Sequence, residues 1–230
     1  MLGEPAPVLA TPTLDQHGAV LHAAALTADL AELRATLAHL PSDQAGIRIS
    51  HLPALGPFLA ADGPIGALAA SALGPAARPV RAILFDKTSA TNWSLAWHQD
   101  RTICVRRRID VPGFGPWTTK ARLQHVAPPF DLLSRMVTLR VHLDDTPATN
   151  APLLIAPGSQ RERVPEAAIE DTVRRCGTLA CLAEAGDVWL YATPILHASE
   201  AATRPAHRRV LQVDLAAEDL PGGLEWLGVS

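Results

Sequence analysis

Arg135-Met136-Val137-Thr138-Leu139-Arg140-Val141-His142-Leu143 alternates apolar and polar side chains along its length. Val137, Leu139, Val141 and Leu143 fall on one face and Thr138, Arg140 and His142 on the other. That is the period of a strand whose two sides meet different surroundings. Outward from it, Val80–Phe85 and Thr102–Ile109 read as strands on the N-terminal side. Leu153–Ala156, Thr178–Ala183, Val188–Tyr191, Ile195–Ala198 and His207–Leu215 read as strands on the C-terminal side, with a turn at Ala185-Gly186-Asp187. Pro165–Arg175 reads as a helix, with Pro165 in its first turn and Gly177 beyond its end. Long helical crossovers between the strands are mostly missing, which argues against a doubly wound parallel sheet. The pattern predicts a mainly β fold with flanking α-helices: an antiparallel barrel or jelly roll.

Helices gather at the other end. Leu26, Leu30, Leu33, Leu37 and Leu40 recur at steps of four and three, so they share one helical face, with Thr27 as N-cap and Pro41 as the stop. A second helix is expected over Pro64–Leu73. No repeat or linker divides the 230 residues, so one domain is expected over 1–230, with 1–79 a mostly helical support and 80–230 the β core. Hydrophobic residues make up 48 % and the net charge is −3, which is globular composition without the basic field that nucleic acid demands. No apolar run is long enough to cross a bilayer. Met1–Ala10 lacks a basic stretch before an apolar one, so no secretory signal is expected there. Cys104, Cys176 and Cys181 are odd in number and form no Cys-x-x-Cys pair, which fits free thiols in a reducing cytoplasm.

His98-Gln99-Asp100 is the first candidate for chemistry. Residues two apart in a strand point to the same side, so His98 and Asp100 can offer an imidazole nitrogen and a carboxylate to one metal. His197, in the strand Ile195–Ala198, is the natural third ligand. Two histidines and one carboxylate leave open positions that suit non-haem iron(II) and oxygen chemistry. A second His-x-Asp, His142-Leu143-Asp144, competes for the same role.

Trp97-His98-Gln99-Asp100 resembles the metal motif of the phytanoyl-CoA dioxygenase family. Asp145 to Asn150 followed by Leu153-Leu154-Ile155-Ala156-Pro157-Gly158-Ser159, then Gly186-Asp187-Val188, His197-Ala198-Ser199 and Leu220 to Trp226, are similar to further stretches of that family in the same order. Gln16-His17-Gly18-Ala19-Val20 resembles its N-terminal opening. The resemblance spans nearly the whole chain and selects His98 over His142. It implies a double-stranded β-helix (a jelly roll, or cupin-like barrel) with His98, Asp100 and His197 as catalytic metal ligands, and iron(II), 2-oxoglutarate and dioxygen as cofactors.

The far carboxylate of 2-oxoglutarate calls for an arginine fork. In the family that arginine follows the distal histidine by a spacing that here falls on Arg208, with Arg209 its rival. Strand alternation groups Arg208 with Val210, Gln212 and Asp214, and Arg209 with Leu211, Val213 and Leu215, without saying which face is inner. The resemblance also implies cosubstrate contacts at Ile83, Gln99, Arg140 and Ser199. Arg140 stands where the family often has tryptophan, Ala151-Pro152 where it has glycine, and Gln160 where it has histidine. Related halogenases replace the carboxylate ligand with a small residue, so Asp100 implies hydroxylation. The cations and aromatics Arg101, Arg106, Trp117 and Lys120 are expected at the substrate, which would be a small or peptide-like molecule, carboxylated to match them. Val111–Trp117 is expected to form a lid. Two other readings remain at this point: a cupin-type metal barrel with non-oxidative chemistry, and a non-catalytic binding protein with the same fold.

Overall fold

In a computed structural model that describes residues 12–41 and 44–229, the alternating segment sits in the middle of a large antiparallel sheet. The Met1–Ala10 stretch lies outside the described residues. The strands are β1 (Ala19–His22), β2 (Gly46–Ile49), β3 (Arg78–Lys87), β4 (Leu95–His98), β5 (Ile103–Val105), β6 (Trp117–Lys120), β7 (Leu123–Val126), β8 (Val137–His142), β9 (Leu153–Ile155), β10 (Leu179–Cys181), β11 (Val188–Ala192), β12 (His197–Ser199) and β13 (Arg208–Ala216). The helices are α1 (Leu14–His17), α2 (Leu30–Leu37), α3 (Gly56–Leu59), α4 (Gly66–Leu73), α5 (Phe130–Ser134) and α6 (Ile169–Cys176). A six-stranded sheet runs β1-β11-β8-β13-β3-β2 and a four-stranded sheet runs β10-β9-β12-β4. These two enclose the cavity of a jelly roll, and a three-stranded sheet, β5-β7-β6, adds to its wall.

The larger sheet has a dry face and a chemical face. Val137, Leu139, Val141 and Leu143 join Leu211, Val213 and Leu215 of β13 in one core with Leu30, Leu33 and Leu37 of α2 and Ala69 of α4. Each such large apolar side chain contributes about 1.5–3 kcal/mol by leaving water. Because side chains alternate, Thr138, Arg140 and His142 must point the other way, into the barrel, and so must Arg208, Gln212 and Asp214.

The leucine face is as the spacing predicts, but α2 is shorter than the span Leu26–Leu40. The Leu26 N–H donates to the Gly186 carbonyl at 2.8 Å, outside any helix. The N-cap position of α2 is Asp29, and Thr27 lies in the preceding turn against Gly186, not at the cap. The 1–79 segment carries strands beside its helices: β1 and β2 extend the larger sheet at its two edges. The strand expected over Thr102–Ile109 stops at Val105. From there Arg106 N–H donates to the Glu225 carbonyl at 3.0 Å, and three consecutive arginines turn out to solvent. The expected lid is part of a core: Val111, Phe114 and Trp117 pack against the cluster around Ile103, Val126 and Trp226.

Candidate active site

β4 and β12 pair so that His98 stands opposite His197, with ring centroids 4.2 Å apart. One ligand atom each from His98, Asp100 and His197 lie within 4.8 Å of one another. The backbone fixes the imidazoles. His98 Nδ1–H donates to the Ala96 carbonyl at 2.8 Å and His197 Nδ1–H to the Ile195 carbonyl at 3.0 Å. A carbonyl only accepts, so Nδ1 carries the proton and each Nε2 keeps its lone pair for a metal. Burial pushes His197 down to about 4, against the pull of Asp100, so its ring is neutral and able to ligate at neutral pH. For Asp100, burial pushes the carboxyl up, but Arg81, His197 and His98 more than offset it and the carboxylate is favoured. This donor set fits a divalent iron.

Arg81 was not singled out by the sequence, although it shares the inner face of β3 with Ile83. Its Nη2 donates to Asp100 at 3.2 Å and its Nε donates to Asp214, which is 3 % exposed. Asp214 also accepts from the Thr138 hydroxyl at 3.1 Å and the Gln212 amide at 3.3 Å. A chain of hydrogen bonds therefore runs from the larger sheet to the Asp100 carboxylate.

A cavity of about 500 Å³ reaches the triad. One wall carries buried cations. Arg208 is 2 % exposed, its Nη1 donates to the Ala151 carbonyl, and its Nε has no partner. Arg140 lies over the Phe85 ring at 5.4 Å, its Nη1 donates to Gln212 at 2.9 Å, and its Nε is likewise unpartnered. Burial and the Arg140 charge, opposed by Asp86, bring Arg208 down to about 9. Lys87, also unforeseen, is brought down to about 8 by burial and by Arg208 and Arg140. Its ammonium donates to the Trp93 carbonyl at 2.7 Å, the Ser199 hydroxyl at 2.9 Å and the Glu200 carbonyl at 3.0 Å.

The rival residues go elsewhere. Arg209 faces away from the cavity and makes a fork to Asp144, with Nε at 2.8 Å and Nη2 at 2.7 Å. Asp144 is thereby committed, and His142 is buried on the inner face with Nδ1 at 3.0 Å from the Thr146 hydroxyl, so His142 and Asp144 do not converge. Ile83 and Ser199 line the cavity. Gln99 lines the cavity too, but its amide is engaged elsewhere. Its amide nitrogen donates to the Glu162 and Pro194 carbonyls at 3.0 and 2.7 Å, and its oxygen accepts from Val164 N–H at 2.9 Å. With these three bonds its amide ties loops together. Of the expected substrate residues, Arg101 and Lys120 line the cavity. Arg106 and Trp117 do not: Arg106 is exposed in an ion pair with Glu225 at 3.4 Å, and Trp117 packs in the lateral core under Arg108. Arg48 of β2 and His125 of β7, both unforeseen, line the cavity as well.

Solved structures of similar fold include HygX from Streptomyces hygroscopicus with nickel and 2-oxoglutarate bound, at 16 % identity and a TM-score of 0.59 over 88 % of this chain and 84 % of that one. SnoN, a non-haem alpha-ketoglutarate-dependent epimerase from nogalamycin biosynthesis, is 19 % identical with a TM-score of 0.61 over 91 % and 85 %. EctD from S. alaskensis with 2-oxoglutarate and 5-hydroxyectoine is 17 % identical with a TM-score of 0.53 over 88 % and 73 %. No curated protein matches the sequence. The sequence model of the family Phytanoyl-CoA dioxygenase (PhyH) matches residues 14–210. This chain belongs to the phytanoyl-CoA dioxygenase family, whose oxygenases use iron(II), 2-oxoglutarate and dioxygen.

Proposed function

We propose that this oxygenase hydroxylates an unactivated C–H bond of a small, acidic molecule. The observation that supports it is the pairing, in one cavity, of the His98–Asp100–His197 triad with two buried arginines whose Nε groups lack partners. A buried unpaired cation is costly, so Arg208 and Arg140 call for an anion. In this reading the far carboxylate of 2-oxoglutarate docks on the Arg208 fork. Arg140 adds charge from the neighbouring strand, and Ile83 supplies apolar wall. Lys87 acts through Ser199, holding β12 and the Trp93 segment in place.

Iron(II), when bound, supplies the activation of dioxygen coupled to decarboxylation of 2-oxoglutarate. The protein's part is placement. His98 and His197 present Nε2 because their Nδ1–H groups are engaged, and Arg81 sets the direction of Asp100. Asp100 fills the ligand position that related halogenases leave to halide, which supports hydroxylation. Arg101 and Lys120 in the wall support an acidic substrate. Free cysteines at positions 104, 176 and 181 suit a reducing cytoplasm, and no described helix is long and apolar enough to cross a membrane.

The test is anaerobic titration of the iron(II)-loaded protein with 2-oxoglutarate, then exposure to air. A weak visible charge-transfer band followed by succinate supports the reading. No band and no succinate would leave a metal barrel of other chemistry or a binding protein. Mass analysis of the product separates a gain of one oxygen from epimerisation or desaturation.

A further inference from the structure

Away from Arg208, the cavity carries unsatisfied polar atoms that neither the metal nor the cosubstrate uses. Arg48 stands on the edge strand β2, opposite Ile83, with its Nε buried and unpartnered. It makes no ion pair among the described residues. His125 on β7 is 1 % exposed. Its Nδ1–H donates to the Leu123 carbonyl at 3.1 Å, so Nε2 presents a lone pair, and that atom too is buried without a partner. Both line the cavity, with Lys120 beside them on the same hairpin. Among the described residues that line it, Asp100 is the one acid, and Arg81 holds it.

Register keeps these groups apart from the cosubstrate's cations. Arg48, Ile83, Gln212 and Arg140 form one cross-strand row on the inner face. Between its ends lie three strand spacings, about 14 Å. Arg208 lies four residues along β13 from Gln212, farther still from Arg48, so a five-carbon diacid held at the metal and Arg208 would not span to Arg48 as well. That leaves Arg48 for a second anion.

We propose that Arg48 and His125 form the substrate-recognition site, for a small molecule whose oxyanion sits on Arg48 with Lys120 alongside and whose O–H or N–H donates to His125 Nε2. The oxyanion is a carboxylate or a phosphate, which share this chemistry. Burial lowers the His125 pKa; the Leu123 hydrogen bond opposes this, while the Arg81, Arg48 and Lys120 charges add to it, so the ring stays a neutral acceptor. The metal ligands come from the opposite sheet, so a molecule anchored at Arg48 lays its uncharged part towards them. The proposal rests on the assignment of the triad and Arg208 to iron and 2-oxoglutarate.

The experiment uses nickel(II)-loaded protein saturated with 2-oxoglutarate, so that the Arg208 end is blocked, and calorimetric titration with matched probes. N-acetyl amino acids are compared with their amides, and phosphomonoesters with their parent alcohols; whichever acid arm binds identifies the oxyanion. The acids should bind at least about tenfold more tightly than their neutral partners. Arg48→Met should remove that preference, Arg48→Lys should restore part of it, and Arg106→Met, outside the cavity, should leave it unchanged. His125→Phe should weaken the probes that carry a donor and spare those that do not. Thermal unfolding shows that each variant is folded, and Arg48→Lys serves if the methionine variant is not. Neutral probes binding as tightly as acids, acids binding Arg48→Met as tightly as the wild type, or no acid binding at all while 2-oxoglutarate binds would each overturn the proposal. Failure of 2-oxoglutarate to bind overturns the underlying assignment first and is read in the same titration.

Discussion

Replacing Arg208 with methionine should stabilise the ligand-free protein and abolish its response to 2-oxoglutarate. The side chain is 2 % exposed, donates to one neutral carbonyl and leaves Nε without a partner. Burial and then Arg140, against Asp86, bring the guanidinium from its ordinary value down to about 9. Each tenfold loss of proton affinity is about 1.4 kcal/mol, so holding the charge costs the fold roughly 4–5 kcal/mol. Methionine removes that cost and forfeits a charged hydrogen bond of about 1.5–3 kcal/mol. The net gain is about 2 kcal/mol, within the range seen when buried charges give way to apolar isosteres. The folded pKa lies below the unfolded one, so the cost is fully present below about pH 9 and fades as pH rises above it. Urea unfolding near neutral pH, with nickel(II) and with or without 2-oxoglutarate, reads both effects. Cosubstrate at a hundred times its Kd adds about 2.7 kcal/mol to the wild type and nothing to the variant, so their order reverses. A variant more than about 1 kcal/mol less stable without ligand would show that the guanidinium is already satisfied and needs no anion. Equal stabilisation of both proteins by 2-oxoglutarate would remove Arg208 from the cosubstrate site.

Asp100→Ala should abolish nickel(II) binding in calorimetry while the protein stays folded by circular dichroism; retained affinity would move the metal elsewhere. Arg81→Met strips buried Asp214 and half-buried Asp100 of their shared cation and should cost about 3–5 kcal/mol, with metal affinity down about 10–100-fold and partly restored by lysine. Gln99→Leu leaves the Glu162 and Pro194 carbonyls and the Val164 N–H without their partner; urea denaturation should show a loss of about 2–4 kcal/mol. His142 is held at about 3 by burial, Arg140 and Arg208, against 6.5 unfolded. The unfolded chain therefore gains its proton first, and stability falls from pH 6.5 down to about 3, by about 2–3 kcal/mol at pH 4.5. His142→Gln should flatten that slope in denaturant titrations across the range.

The alternation of Arg135–Leu143 showed two faces, yet it did not say which was inner. That depended on Leu30, Leu33 and Leu37 covering the apolar side, a tertiary fact that no local pattern contains. Once the side is known, parity alone puts Arg140, Arg208 and Asp214 inside and sends Arg209 out to Asp144. Parity along Val80–Phe85 would have found Arg81 as readily as Ile83. The β6–β7 hairpin was illegible for a different reason. Its turn residues Ala121 and Arg122 both have positive φ, 50° and 64°, where Asn-Gly is the usual signal. Without that signal no strand is read between Ile109 and Arg135, and His125 goes unnoticed. Arg106 was drawn to the substrate by its arginine neighbours in the chain, whereas its partner Glu225 comes from the far C-terminal segment.

Stability and chemistry occupy opposite faces of the same strands. Leu139, Val141, Leu211 and Val213 are fully buried on the helix side and stabilise the sheet by several kcal/mol together. Their alternates, Arg140 and Gln212, sit in the cavity, where an unpaired charge weakens the fold. Because successive side chains point in opposite directions, an inner residue can change without shifting the register of the outer core. The strands can thus hold a costly cation in readiness for an anion, and the helix-facing leucines and valines offset that cost until the ligand arrives. Arg48 is a different case. It lies on an edge strand with one pairing neighbour, half-buried, where a substitution disturbs the least packing. If Arg48 holds the substrate as proposed, the inner positions of β2 are where a jelly roll of this kind can alter its substrate at the smallest structural cost, while Arg81 and Arg208 are bound into the centre of the sheet, where a substitution disturbs more of the packing.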